Sequence, residues 1–394
     1  MREMTCVVIG GGYAGIHAVK AIQKSLREKS GKGTVRIVLI DKNPYHLRKV
    51  LLFKPAAGDH DIKIPLIQLF PEEVEIIQVA VTAVETGVKR LLYQDADGNE
   101  HAMNYDILVL AAGSVVRQPD SEQGGIALTG LEAAMKIRAA WRMNLTKAAG
   151  ETNDEERRRL MTVAVAGAGI SGIETSAELA YSVQADAKAL GLDPDDVTVR
   201  LFNAHDRLFG QGPAKVGHKL EQLLAASGVT VLHRSKVMKE KDGKLTLSDG
   251  KTAPAGLCVW TLGLAPSPML SRIGLPLTPD GYVAVDASYR VQGFPGVYSI
   301  GDCAQIVDPA SGQADGKTCK EATAQAARLG KIVLADMEGR PAPSHKSFMD
   351  FFCFGLGPEQ GIVWTRQWGL DLIFTGRLGW QIRKYTWDIA SLLK

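Results

Sequence analysis

Short apolar runs, each bounded by glycine or by charge, recur along this chain in a fixed order. Thr5–Ile9 is the first. Glycines follow at once, then a helical pattern from Gly15 to about Leu26, then the run Val35–Ile40, which ends on Asp41. Runs of four to eight apolar residues closed by turn residues predict buried strands, and strand, glycine turn, helix, strand is a βαβ unit. The order returns at Thr162–Ala166, Gly167–Gly172, Ile173–Gln184 and Val197–Phe202. Two such units predict two domains of one kind. Between them Leu131–Ala148 has the spacing of an amphipathic helix, and the charged stretch Gly150–Arg159 reads as a solvated loop or helix start. Tyr105–Ser114 and Leu257–Gly263 have the look of strands where the chain crosses between domains. The Gly/Pro-rich segment Gly263–Pro279 reads as the return to the first domain, and from Pro341 a short C-terminal region begins.

The glycine turns carry the first chemistry. Gly10-Gly11-Gly12-Tyr13-Ala14-Gly15 satisfies G-x-G-x-x-G between a strand and a helix. Gly10 permits the tight turn, Gly12 lets backbone approach a pyrophosphate, and Gly15 lets helix and strand pack closely. The helix start offers unpaired N–H groups and the positive end of its dipole to phosphate. Asp41, followed by Lys42, stands at the next strand end, where a carboxylate accepts ribose hydroxyls. Gly167-Ala168-Gly169-Ile170-Ser171-Gly172 repeats the pattern, with Asn203 at the matching strand end. An amide there can hydrogen-bond a ribose hydroxyl and does not repel a 2′-phosphate, which His205 and Arg207 lie close enough to neutralise. NADH and NADPH both remain open. A third element, Gly296-Val297-Tyr298-Ser299-Ile300-Gly301-Asp302-Cys303, is an apolar strand ending in Gly-Asp.

With these elements in order, the chain resembles the pyridine-nucleotide flavoprotein reductases, and within them the type II NADH:quinone oxidoreductases. The matching residues are Gly10–Gly15, Tyr45-His46, the approach Glu155-Glu156-Arg157-Arg158-Arg159-Leu160, the turn Gly167–Gly172 with Ile173-Glu174, Ile300–Ala304, and Thr323-Ala324-Gln325-Ala326. The resemblance implies an α/β fold of two Rossmann-like dinucleotide-binding domains plus a short C-terminal region. The FAD domain is discontinuous, at 1–118 and 278–340, with the NAD(P)H domain at 119–277 and the C-terminal region at 341–394. FAD would lie against Gly10, Gly12, Tyr13, Ala14, Gly15, Asp41, Lys42 and His46, with Ala112, Gly113, Gly301, Asp302 and Ala324. NADH or NADPH, as substrate, would lie against Gly167, Gly169, Ile170, Ser171, Gly172, Asn203 and Gly263.

The five cysteines (Cys6, Cys258, Cys303, Cys319 and Cys353) are scattered, with no C-x-x-C or C-x-x-x-x-C pair and none between Asp41 and Gly58. Disulfide reductases of this fold need a cysteine pair against the flavin. Electrons are therefore expected to pass directly to a small oxidant or a carrier protein, and the resemblance implies a quinone. It also gives Glu174 a part in proton delivery and sets Gln325 on the quinone side of the flavin. The family's second glutamine is missing, and Lys320-Glu321 is more charged than the family pattern. A reductase serving ferredoxin or rubredoxin, and a flavin-based redox sensor, are the rival readings.

Composition sets limits on partners. A net charge of +3 on 394 residues gives no argument for nucleic acid. No apolar run is long enough to span a membrane, and the chain enters its first strand with no room for a secretory leader, so a cytoplasmic protein is expected. No metal-ligand spacing is present, and no metal is expected. Four of the six tryptophans and five basic residues fall within Trp364–Lys394, with Leu378, Ile382, Tyr385, Ile389, Leu392 and Leu393 at roughly helical spacing. This stretch suits a helix lying in the interface on the cytoplasmic face of the cell membrane. Packing on the flavin domain and a homodimer contact are the alternatives.

Overall fold

The structure is a computed structural model in which residues 4–27, 35–71, 73–95 and 97–394 are described. β1 (Met4–Ile9), α1 (Tyr13–Arg27) and β2 (Val35–Asp41) form the first βαβ unit. β3 (Val74–Gln78) and β4 (Ile107–Leu110) extend its sheet. After α2 (Leu131–Gly150) come β5 (Thr162–Ala166), α3 (Ile170–Ala189) and β6 (Thr198–Phe202), the second unit, which β7 (Val229–Leu232) and β8 (Leu257–Trp260) extend. β9 (Val297–Ser299) then returns to the first sheet, whose order is β9-β4-β1-β2-β3, all parallel. The second sheet runs Ile126–Ala127, β8, β5, β6, β7, also all parallel. Strands covered on both faces read as unbroken apolar runs, and β5 is buried at all of its positions. The two crossing segments meet as an antiparallel pair, Ser114–Val116 against Leu264–Pro266.

The charged stretch before β5 becomes a helix at Asp154–Leu160, capped by the Asn153 side chain, which accepts from the Glu156 N–H. Each Rossmann unit also carries a three-stranded antiparallel meander: Ala80–Glu85, Arg90–Gln94 and Glu100–Asn104 in the first, and Val237–Lys241, Lys244–Leu247 and Thr252–Pro254 in the second.

α4 (Cys319–Met337) lies along α1. Gly330 lets the two helices touch: a Cβ there would stand 2.6 Å from the Ala21 carbonyl oxygen. The C-terminal region folds as an antiparallel sheet, β10 (Phe351–Gly355), β11 (Gly361–Gln367) and β12 (Leu370–Thr375), followed by α5 (Gly376–Ala390). Phe354, Leu356, Ile362, Trp364 and Trp387 join one core with Phe53, Trp141 and the apolar face of α3. This corrects the expectation for two of the four tryptophans of the C-terminal stretch. Trp364 and Trp387 fill the core, because β11 is a central strand and α5 turns Gly379, Arg383, Trp387 and Ala390 inward.

The third glycine of each turn has no room for a side chain. A Cβ on Gly15 would stand 1.7 Å from the Gly10 carbonyl oxygen, and one on Gly172 would stand 1.8 Å from that of Gly167. Gly172→Ala must push helix from strand, a forced overpacking that costs about 1–3 kcal/mol. A lowered thermal midpoint is expected by calorimetry, and an unchanged midpoint would show that the turn relaxes freely.

Candidate active site

The first glycine turn is closed behind and open in front. Gly10, at φ +109°, sits where a Cβ would be 2.4 Å from the Ala111 carbonyl oxygen, whereas a Cβ on Gly12 would meet nothing within 4 Å. Backbone is thus exposed at the point where the helix start faces outward. Asp41 braces the turn: one carboxylate oxygen accepts the Gly11 N–H at 2.7 Å and the other the Asn43 N–H at 2.7 Å. Lys42 is exposed beside it. His46 is fully buried, with the Tyr13 ring edge-on at 4.7 Å. Its Nδ1 lies 2.9 Å from the Gly11 carbonyl oxygen, so Nδ1 carries the proton. Burial pushes the imidazole down to about 4. Nε2 is then a buried acceptor with no partner among the described residues.

The Gly-Asp element lies across the same cleft. After β9 the chain turns through Gly301, at φ +76°, and Asp302 accepts the Ser114 hydroxyl at 2.8 Å. Burial raises the Asp302 carboxyl, with that hydroxyl pulling against it. Lys49 donates to the Ser114 carbonyl at 3.1 Å, and Lys317 donates to that of Ala304. Gly113, at φ +69°, also has open space where a Cβ would be. An open cradle, an orphaned buried acceptor and a half-buried carboxyl flanked by lysines fit the pyrophosphate and polyhydroxyl chain of a flavin dinucleotide.

The second turn repeats this geometry. A Cβ on Gly167 would be 2.4 Å from the Thr261 carbonyl oxygen, while Gly169 faces open space and Ser171 is exposed beside it. Ile170 is half-buried at the start of α3, and Gly263 takes φ +79° at the crossing. The strand-end residues differ from expectation. The Arg207 guanidinium donates to the carbonyls of Phe209, Gly210 and Gly212 and holds its own loop. Asn203 is buried and bonded within the protein, while His205 stays exposed.

Between the turns lies a buried ion pair. Glu174 is 2% exposed, just past the first turn of α3, and receives both arms of the Arg383 guanidinium at 2.9 Å, one on each oxygen, with the Gly355 N–H at 2.8 Å on Oε1, the oxygen that also takes Nε. Burial pushes the Glu174 carboxyl up against the pull of Arg383. The Trp387 ring lies against the guanidinium, centred 5.0 Å away. One helical turn along α3, the buried Glu178 pairs with Lys54 at 2.6 Å. Lys320 stands near the rings of Phe351 and Phe352, at 5.1 and 4.7 Å.

The pyridine nucleotide-disulphide oxidoreductase family matches residues 4–327. The chain belongs to that family. It is 24% identical to the NADH dehydrogenase-like protein YutJ of Bacillus subtilis over 86% of this chain and 85% of that one. Identity to the demethylphylloquinone reductase NdbB of Synechocystis is 25%, over 86% and 81%. The fold superposes on Plasmodium falciparum NDH2, solved with NADH, with a TM-score of 0.81, 16% identity and coverage of 99% of this chain and 98% of that one.

Gln325 is the residue the resemblance sets on the quinone side of the flavin. Its carbonyl oxygen accepts the Gly301 N–H at 2.8 Å and its amide donates to Asp315 at 2.7 Å, so it fixes the Gly-Asp turn from behind, with Ala324 half-buried next to it. Asp315 in turn meets His345 at 3.1 Å, and His345 meets the Tyr289 hydroxyl at 2.8 Å. Sequence reasoning missed Arg383, counting it among surface charges. Its spacing of four from both Gly379 and Trp387 was the available signal.

Removing Arg383 leaves a buried carboxylate unpaired. Arg383→Met is expected to lose about 3–5 kcal/mol. The sign with pH follows from Glu174: its folded-state pKa, raised already, rises further without the guanidinium, so the variant retains most stability when the carboxyl is protonated and loses it as pH rises. Denaturant melts from pH 5 to 8 should show the deficit growing; a deficit independent of pH contradicts the pairing.

Proposed function

We propose that this chain is an FAD-dependent NAD(P)H dehydrogenase that delivers two electrons to a quinone. The observation that carries the reading is the pair of dinucleotide cradles in one chain with a buried, arginine-paired carboxyl beside the second. The relatives named as an NADH dehydrogenase-like protein and a demethylphylloquinone reductase support it.

FAD, when bound, supplies the chemistry: it takes up a hydride from the nicotinamide and gives up two electrons to the acceptor. The protein's part is binding and proton supply. Gly10, Gly12, Tyr13, Ala14, Gly15, Asp41 and His46 hold the adenosine and pyrophosphate half. Ala112, Gly113, Gly301 and Asp302 hold the remainder, with Gln325 positioning the Gly301 turn. Gly167, Gly169, Ile170, Ser171 and Gly172 receive the nicotinamide dinucleotide. Reduction of a quinone to a quinol by NAD(P)H consumes one proton from solution. Glu174, its carboxyl pushed up by burial and paired with Arg383, is the group assigned to proton delivery.

A peripheral membrane contact belongs to the same reading, through the tip of the C-terminal sheet. Trp368 is 91% exposed in the β11–β12 turn and Leu370 is 64% exposed beside it, with Arg366, paired with Asp371, next to them. An exposed indole with an exposed leucine beside it suits a lipid headgroup layer. No helix among the described residues is long and apolar enough to cross a membrane.

In anaerobic stopped-flow, the yellow protein should bleach with NAD(P)H and recover its colour on mixing with a short-chain quinone. Bleaching without quinone-driven recovery would overturn the acceptor. Glu174→Gln is expected to slow one half-reaction by about a hundredfold, and wild-type rates in both would remove its role. Trp368→Ser combined with Leu370→Ser should reduce co-sedimentation with anionic vesicles at unchanged flavin content; unchanged partition contradicts the membrane contact.

A further inference from the structure

We infer that the second dinucleotide site selects NADPH over NADH through a basic lip formed by Arg234 and His205, with Asn203 turned away from the ligand. The inference rests on the proposed NAD(P)H dehydrogenase reading and deepens it.

A site for NADH places an acceptor, usually a carboxylate, at this strand end to take the ribose 2′-hydroxyl. Here the acceptor is consumed. The Asn203 amide is oriented by two backbone groups: its NH₂ donates to the Arg207 carbonyl at 2.9 Å, and its oxygen accepts the His205 N–H at 3.2 Å. The NH₂ also donates to His233 Nδ1 at 3.0 Å, which makes Nδ1 the acceptor and puts the ring proton on Nε2. Nε2 faces the Glu221 carboxylate at 3.2 Å. Asn203, 3% exposed, is therefore used on three sides. A carboxylate in its place would set oxygen against the Arg207 carbonyl and the His233 lone pair, so the loop itself disfavours an acid.

The neighbouring cations are placed otherwise. Arg234 follows β7, the strand beside β6, and its backbone N–H donates to the His205 carbonyl at 2.9 Å, which puts the two residues side by side at the lip. Its backbone holds φ +52°, a conformation that costs energy in a residue with a Cβ. Its guanidinium has no partner among the described residues. His205 is exposed, as is Asp206, the one opposing charge in the loop. A planar guanidinium with an imidazole alongside suits a phosphate monoester, and the Asn203 amide at the strand end is not free to take a hydroxyl.

The test uses the full-length, FAD-loaded protein and two probes. Calorimetry with 2′,5′-ADP and with 5′-AMP should show the former binding at least tenfold tighter, with the gap narrowing as salt rises. Anaerobic flavin bleaching should favour NADPH over NADH by at least tenfold in rate over Kd. Arg234→Ala should raise the Kd for 2′,5′-ADP and leave that for 5′-AMP unchanged. Equal binding of the two probes, a preference for NADH, or equal weakening of both by Arg234→Ala would overturn the inference. If 2′,5′-ADP binds more tightly but neither dinucleotide bleaches the flavin, the dehydrogenase reading fails and the selectivity stands.

Discussion

A carboxylate and a guanidinium taken out of water together constrain this structure more than any other contact. Desolvating such a pair is costly, and its attraction recovers that cost only with good geometry and further hydrogen bonds. Glu174 and Arg383 meet both terms, with a two-armed contact and an added backbone donor from Gly355. The geometry in turn requires the C-terminal sheet, because Gly355 ends β10 and Arg383 hangs from α5. The last 44 residues are thereby tied to the second Rossmann unit, with Phe354, Trp364 and Trp387 in the core they share with α3.

The glycine turns impose the second constraint, and they impose it twice. In each, the first and third glycines bring backbone so close that no Cβ fits, while the middle one faces open space. Closure behind and openness in front are what a pyrophosphate needs from a helix N-terminus. The same backbone solution on two sheets, joined by the antiparallel pair at Ser114–Val116 and Leu264–Pro266, turns one chain into a holder for two dinucleotides.

The parts readable in the sequence were those whose chemistry is local. A strand such as Thr162–Ala166 declares itself by unbroken apolar residues, and a turn such as Gly167–Gly172 by glycines at fixed spacing. The meanders were not visible, since strands such as Glu100–Asn104 are short, polar and largely exposed. Nor was the role of Arg383, 209 residues from its partner, because charge alone says nothing about which face of a helix is buried. Asn203 illustrates a subtler limit. Its position at the strand end was legible, but the orientation of its amide depends on the Arg207 loop and on His233 from a neighbouring strand.

Sulfur is the point at which the redox chemistry divides. All five cysteines are free thiols, and burial pushes Cys353 up to about 11. Cys319 and Cys353 are far apart in sequence but share Arg383, Lys320 and Glu174 as electrostatic neighbours. With direct transfer from flavin to acceptor, neither thiol exchanges electrons. An anaerobic reductive titration of the FAD-loaded protein measures this directly. Two electrons per flavin, with no new thiol appearing, is the predicted end point. Four electrons per flavin, with two thiols released, would contradict it and place a disulfide between flavin and acceptor.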